Sequence, residues 1–353
     1  MPSLSPLPLV VALDTVGPLV GFDSVDLDND LFVPADAGVV QGPANQGGVP
    51  IPWAALRLAN IASATLGGAP LFTGQAIGKS KNKKSGQLTV DLASRVKTLV
   101  DCPSPAGFSA PAGTLAGFAQ MLCAPLLVPV VAVGAMPRLE AIGATKTEPV
   151  WSVLQRLAHE NGNWVWSDPA GVVHIEPLAP YYAAPPVDLL ISLPSGPSAS
   201  ANNVIDYTLR DDAGDRYSQY TVIGHGATRC LGAGDIPLLS YPIIATVPDP
   251  ELTARGVYRP LTIEDGSIRN QAQALTRATR EMLLRRVRGL KIEVDVMGWT
   301  TTAGVPWQTT QMVLISFPED GIAGSYMIAG RRLTLDKQNG RRTRLTLIEP
   351  GAL

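Results

Sequence analysis

The sequence predicts a mainly β protein with α+β inserts, and three observations carry that prediction. Glycine (34) and proline (31) punctuate the 353 residues into short segments joined by turns. Alternating apolar and polar positions recur near both ends of the chain, the period-2 signature of half-buried strands. Helical spacing is confined to a few isolated stretches. The length predicts two or three domains. Apolar residues at 46% against 16% charged are ample for buried cores.

The first β unit covers residues 1–104. "LVVALDTV" and "GFDSVDLDN" alternate around Gly17-Pro18, and "WAALRLANI", "PLFTGQAIG" and "GQLTVDLASRV" follow between Gly/Pro turns. A Gly/Pro-rich loop (40–52) interrupts the series, and "KSKNKKSG" (79–86) is expected at a hairpin tip. Residues 107–184 form a small α+β unit after the Pro-rich stretch 101–113. In it, "TLAGFAQMLCAPL" places Leu115, Phe118, Ala119 and Leu122 at helical spacing behind Thr114 as N-cap. A second helix starts at Thr147-Glu148-Pro149, carries the stripe Val150, Val153, Leu154, Leu157 and Ala158, and stops at Gly162. "NWVWSDPAGVVHIEP" then reads as a hairpin around Asp168–Gly171.

Strands resume over 187–226. The insert 227–289 contains the longest helical pattern (267–289), capped by Ser267, with Ile268, Ala272, Leu275, Thr279, Met282, Leu283 and Val287 on one face. Four alternating runs (290–353) read as an antiparallel meander with turns at Thr302–Gly304, Glu319–Gly321 and Asn339-Gly340. Segments 187–226 and 290–353 are therefore expected to complete one second β unit, split by the insert.

Chemistry-bearing motifs are few. His159-Glu160 opens like the zinc motif H-E-x-x-H, which needs two histidines one helical turn apart on one face. Here the fifth position is Asn163, and Gly162 ends the helix inside the motif, so the sequence predicts no metal. His174 falls on a strand. "GHGATRCLGAGD" (224–235) lacks the Lys-Ser/Thr of a phosphate loop, and His225 has no G-x-S-x-G serine to serve. Asp211, Asp212 and Asp215 lack the EF-hand pattern. Cys102, Cys123 and Cys230 are odd in number and widely spaced, against a zinc ribbon or a disulfide framework. No catalytic residue, cofactor or metal is expected. A formal charge of −2 gives no field toward nucleic acid. "APLLVPVVAVGA" (124–135) is too short and too broken by Pro129 to span a bilayer, so membrane insertion is not expected.

Two basic features remain as candidate partner or phosphate contacts. One is the lysine run Lys79, Lys81, Lys83 and Lys84. The other is the arginine-rich helix with Arg277, Arg280, Arg285 and Arg286, poised either for an acidic partner or for local ion pairs.

The ordered set of segments resembles a known family. "PLFTGQAIGKSKNKKSGQLTVDLASRVKTLVDCPSP" is similar to the end of the first barrel in phage tail baseplate hub proteins of the Mu-like and late-control-D-like kind. Thr73-Gly74 and the stretch Asp91–Ser104 occupy the marker positions. The unit with Asn161-Gly162 and its Asp168–Gly171 hairpin resembles that family's inserted α+β domain. "VDVMGWTTTAGVPWQTTQMVLISFP…GSYMIAGRRLTLD…TRLTLIEP" resembles its last barrel. The loop 40–52 and residues 227–266 match nothing in the pattern. The resemblance implies two antiparallel tube-like β-barrel domains. It also implies a homotrimer forming a pseudo-hexameric ring in the baseplate of a virion assembled in the host cytoplasm. Its partners would be the central spike protein, the tail tube protein, and the baseplate wedge and tape-measure proteins, with DNA only as passing cargo. Two other readings are a tail-associated peptidoglycan hydrolase and a carbohydrate-binding β module using Trp151, Trp164, Trp166, Trp299 and Trp307.

Overall fold

The computed structural model describes residues 7–14, 16–46, 48–104, 109–110, 112–134, 138–139, 142–143, 148–194, 201–224, 243–266, 268 and 270–351. His225, Cys230, Ser267, Arg269 and Thr147 lie outside them. Among the described residues no helix is long and apolar enough to cross a membrane.

One thirteen-stranded sheet runs through the chain. Its strands are β1 (Leu9–Leu13), β2 (Gly17–Leu19), β3 (Ser24–Asp30), β4 (Ala37–Pro43), β5 (Ile61–Leu66), β6 (Ala69–Asn82) and β7 (Gln87–Ser94) from the first β unit. The second unit adds β8 (Leu189–Ile191), β9 (Val204–Asp211), β10 (Leu290–Met297), β11 (Met312–Phe317), β12 (Ile322–Asp336) and β13 (Gly340–Ile348). The order is β9-β10-β13-β12-β3-β4-β7-β6-β5-β1-β2, with β11 on the other half of β12 and β8 beyond it. Strict alternation, as in the iBiBeBi burial of β3, sends Val25 and Leu27 into one core and leaves aspartates on the opposite face.

The fold is thus mainly β, but the two β units are not separate. The fifteen-residue β12 is their shared spine: Ile322–Phe317 through Met327–Met312 pair it with β11, and Gly330–Asp30 through Leu335–Val25 pair it with β3. Among the described residues no backbone ladder closes either half into a barrel. The gap between β8 and β9 is instead bridged by asparagine amides. Asn203 Nδ2 donates to the Leu189 carbonyl, its Oδ1 accepts from the Ile191 amide, and its own amide donates to the Ile191 carbonyl. The expected meander is also modified. β10 pairs with β13 rather than with β11, and β8 lies parallel to β11. The connection 298–311 can therefore tuck Trp299 into the core of the first half, where its indole Nε1 donates to the carbonyls of Thr334 and Arg342.

The α+β unit holds α1 (Leu115–Cys123) and α2 (Val150–Glu160) against a three-stranded sheet, Val130–Ala132, Val173–Glu176 and Trp164–Ser167. Thr114 Oγ1 caps α1 by accepting from the Gly117 amide. α2 begins after Pro149 and ends where Gly162 takes φ +72°, a left-handed turn that glycine enters without strain.

The strand Gln219–Gly224, expected in the second β unit, pairs instead with Ile243–Pro248 and Pro260–Asp265 in a separate three-stranded sheet under α3 (Gln271–Gly289). α3 is capped by Asn270, whose side chain accepts from the Gln273 amide, rather than by Ser267. Its buried stripe is Ala274, Ala278, Met282 and Val287, while Leu275 stays half-exposed. Ala274 and Ala278 pack together with Ile268 against Val222 and Ala245 of that sheet.

Candidate interaction surface

The sheet's second face is polar, and it continues across both halves. Cross-strand register sets Asp28, Arg332, Arg344, Asp295 and Asp206 in one row over β3, β12, β13, β10 and β9. Period-2 neighbours extend the face with Asp26, Asp30, Arg342, Glu293, Lys291 and Arg210, and with Asp91 on β7. That is seven carboxylates and five cations. Two of its four arginines are tied down. Arg332 donates to both oxygens of Asp26 at 2.8 and 2.5 Å, and Arg344 to both of Asp295 at 2.7 and 2.8 Å. Those bidentate bonds, the first cause in each case, raise both guanidinium pKa values. Burial raises the carboxyl pKa of Asp28 and Asp30. Toward the first half the charges give way to a neutral chain, in which Ser24 Oγ donates to Gln41 Oε1 and Gln41 Nε2 to Thr89 Oγ1.

Beneath this face, at the junction of the halves, lies a buried network that no sequence motif announced. Arg331, 2% exposed, donates to the carbonyls of Leu71 (2.8 Å) and Trp307. Asn29 Nδ2 donates to Asp36 Oδ1 at 2.8 Å, and Asn29 Oδ1 accepts from Thr309 Oγ1 at 3.0 Å. Burial pushes the Asp36 carboxyl up to about 8, against the opposing pull of the Asn29 bond and the Arg331 charge. Burial also brings Arg331 down to about 10.

The four lysines do not form one tip. Lys79 and Lys81 lie on β6, where Lys79 Nζ donates to the carbonyls of Trp53 and Leu56 and sits 4.1 Å over the Trp53 ring. Lys81 Nζ donates to the Ile51 carbonyl. Only Lys83 and Lys84 belong to the exposed turn. Lys79 is opposite buried Val90 in the ladder, so it alternates away from the polar face.

The arginines of α3 are spent largely within the chain. Arg277 pairs with Glu281 (2.8 Å) and Asp265 (3.5 Å), Arg285 with Glu281 (2.7 Å), and Arg286 with Glu349 (3.3 Å). Arg280 lies 4.5 Å over Trp164 and donates to the Asn163 carbonyl.

The two histidines of the near-zinc motif are held apart by different tryptophans. His159 stacks on Trp164, and burial, then the charges of Arg280 and Arg277, push its imidazole down to about 2, so it is neutral. His174 stacks on Trp166 and bridges Asp168 Oδ2 (3.1 Å) and Glu176 Oε1 (3.4 Å). The five tryptophans considered for glycan stacking are all 7% exposed or less, which removes the surface that reading required.

Comparison with known proteins agrees with this architecture. Residues 96–176 match the family described as baseplate hub protein gp44-like, second domain, and residues 285–352 match a tail protein C-terminal domain. The chain is 26% identical over 296 residues to the baseplate hub protein gp44 of Escherichia phage Mu, covering 80% of this chain and 73% of that protein. Its fold is similar to a tail protein from Neisseria meningitidis MC58, with 23% identity, a TM-score of 0.80 and 98% of each chain covered. It is also similar to the 43 kDa tail protein of prophage MuSo2 from Shewanella oneidensis, with 20% identity, a TM-score of 0.78, and 98% of this chain and 99% of that one covered. By sequence the chain is thus similar to the baseplate hub protein of phage Mu, and by fold to tail proteins of Mu-like prophages.

Proposed function

We propose that the chain is the structural, non-enzymatic hub of a contractile phage tail. Three copies form a pseudo-hexameric ring that joins the six-fold tail tube to the trimeric spike. Each half of the large sheet then serves as one tube-like barrel, the second sealed by the Asn203 amide rather than by a ladder. The observation that carries this reading is the polar face shared by both halves. Facing a channel, it offers passing DNA an excess of carboxylates, with Arg332 and Arg344 already held by Asp26 and Asp295. Affinity for DNA is dominated by cations that neutralise phosphates, so such a wall lets the duplex slide. In the ring the chain would also meet the wedge and tape-measure proteins, and it would reside in the virion baseplate.

The test is the mass of the purified chain in solution, alone and mixed with the spike protein of the same phage. A mass of three chains and co-elution with the spike are expected. A monomer that ignores the spike refutes the hub. Cell-wall clearing in a zymogram, abolished by one Asp or Glu substitution, would replace it with a lytic reading.

A further inference from the structure

A cleft of about 400 Å³ lies between the α+β unit and α3, lined by Trp164, Pro177, Leu178, Leu275, Leu283 and Arg280 among others. Its wall is chiefly apolar, and it opens to solvent, since Leu275 is 50% exposed. Among the described residues that line it, Arg280 alone is charged. That guanidinium has no ion-pair partner among the described residues. Glu281, its neighbour in sequence, spends one oxygen on Arg277 and the other on Arg285. Arg280 is left with the Asn163 carbonyl and the Trp164 ring. Burial, then the Arg277 charge, pull its pKa down to about 9 against the opposing charge of Glu281, so the site bears the cost of a buried cation with no hydrogen-bonded anion.

We propose that this cleft docks a peptide segment of another tail protein that carries a carboxylate beside a bulky apolar side chain. The apolar wall receives the side chain, and the carboxylate supplies the anion that Arg280 lacks. An open cleft suits a segment of a folded partner, whereas an aliphatic acid would need an enclosed tunnel to bury its tail. The proposal rests on the reading that the chain works inside a multi-protein tail.

Random short peptides displayed on filamentous phage are selected against the full-length chain, and the winners are synthesised for fluorescence anisotropy. Enriched peptides are expected to share Asp, Glu or a free C-terminus next to Leu, Ile, Phe or Trp. Changing that carboxylate to the amide, or Arg280→Gln in the protein, should weaken binding about tenfold. Leu275→Ser should weaken it as well, and at a half-exposed position it leaves the melting curve unchanged. If Arg280→Gln fails to fold, the amide peptide and Leu275→Ser decide. The proposal fails if nothing is enriched, or if binding ignores both the peptide carboxylate and Leu275→Ser. It also fails if only dodecanoate binds, or if Leu275→Glu splits the protein's own oligomer, which would make a second copy the occupant. Because the assay uses the isolated chain, it can fail while the trimer and its spike association stand.

Discussion

Replacing Asp36 by asparagine removes one proton site from the junction of the two halves while keeping an oxygen for the Asn29 amide. Asp36 binds its proton more tightly in the folded chain, near pH 8, than in the unfolded one, near 3.8. Folding therefore takes up a proton between those values. The stability this group contributes is fully present below about pH 4 and is lost as pH rises through about 8. At about 1.4 kcal/mol per pH unit, the window from pH 5 to 8 carries at most ~4 kcal/mol. Asp28 and Asp30 are raised in the same direction, so the wild-type slope contains their share too. The informative quantity is thus the difference between Asp36→Asn and wild type. Urea unfolding followed by tryptophan fluorescence at pH 5, 6.5 and 8 should show wild type losing stability steadily and the variant losing at least about 1 kcal/mol less. Equal slopes for the two proteins would mean that Asp36 is already ionised at neutral pH, and the buried neutral carboxyl would have to be abandoned.

Two further outcomes test the fold. A Cβ at Gly74 would lie 2.0 Å from the Ala93 carbonyl oxygen of the neighbouring strand, so Gly74→Ala should cost about 3 kcal/mol in the same unfolding assay; a loss below about 0.5 kcal/mol would contradict the close approach of β6 and β7. The lysines should divide: Lys83→Ser with Lys84→Ser leaves the unfolding midpoint unchanged, whereas Lys79→Ser with Lys81→Ser frees the 51–56 segment at a cost of about 1 kcal/mol and exposes it to limited proteolysis. Equal behaviour of the two pairs would show that the carbonyl contacts of Lys79 and Lys81 contribute nothing.

Much of the architecture was legible because one-sided burial writes itself into sequence as alternation. β3, β7, β10 and β13 are each readable from their own residues. What joins them was not. β12 pairs with β3 across about three hundred residues, and nothing in either strand names the other. The α3 stripe is legible only in part: Ile268, Met282 and Val287 are buried as their spacing predicts, and Leu275 is not. Leucine outranks alanine in apparent hydrophobicity, yet it is Ala274 and Ala278 that pack on the sheet beneath, while Leu275 lines the cleft. The basic residues showed the same limit, since spacing gives a run of lysines but not the carbonyls that Lys79 and Lys81 reach.

The strongest sequence markers owe their strength to a contact that spacing cannot express. Thr73-Gly74 belongs to the first β unit and Asp168–Gly171 to the inserted hairpin, yet they meet. Gly171 sits with φ +77° where an added Cβ would be 3.1 Å from the Thr73 carbonyl oxygen, while Gly74 leaves no room for a Cβ beside Ala93. The hairpin turn approaches the backbone of β6 through Gly171, while Gly74 lets β6 lie close on β7. Asp168 then fixes that turn, its Oδ1 accepting from the Val172 amide and its Oδ2 meeting His174. Two short motifs, each weak alone, therefore meet at one place in the fold. Gly171→Ala should therefore strain the turn where the inserted domain meets the sheet, whereas Gly74→Ala strains the pairing of β6 with β7, so the two markers record the two sides of that seat.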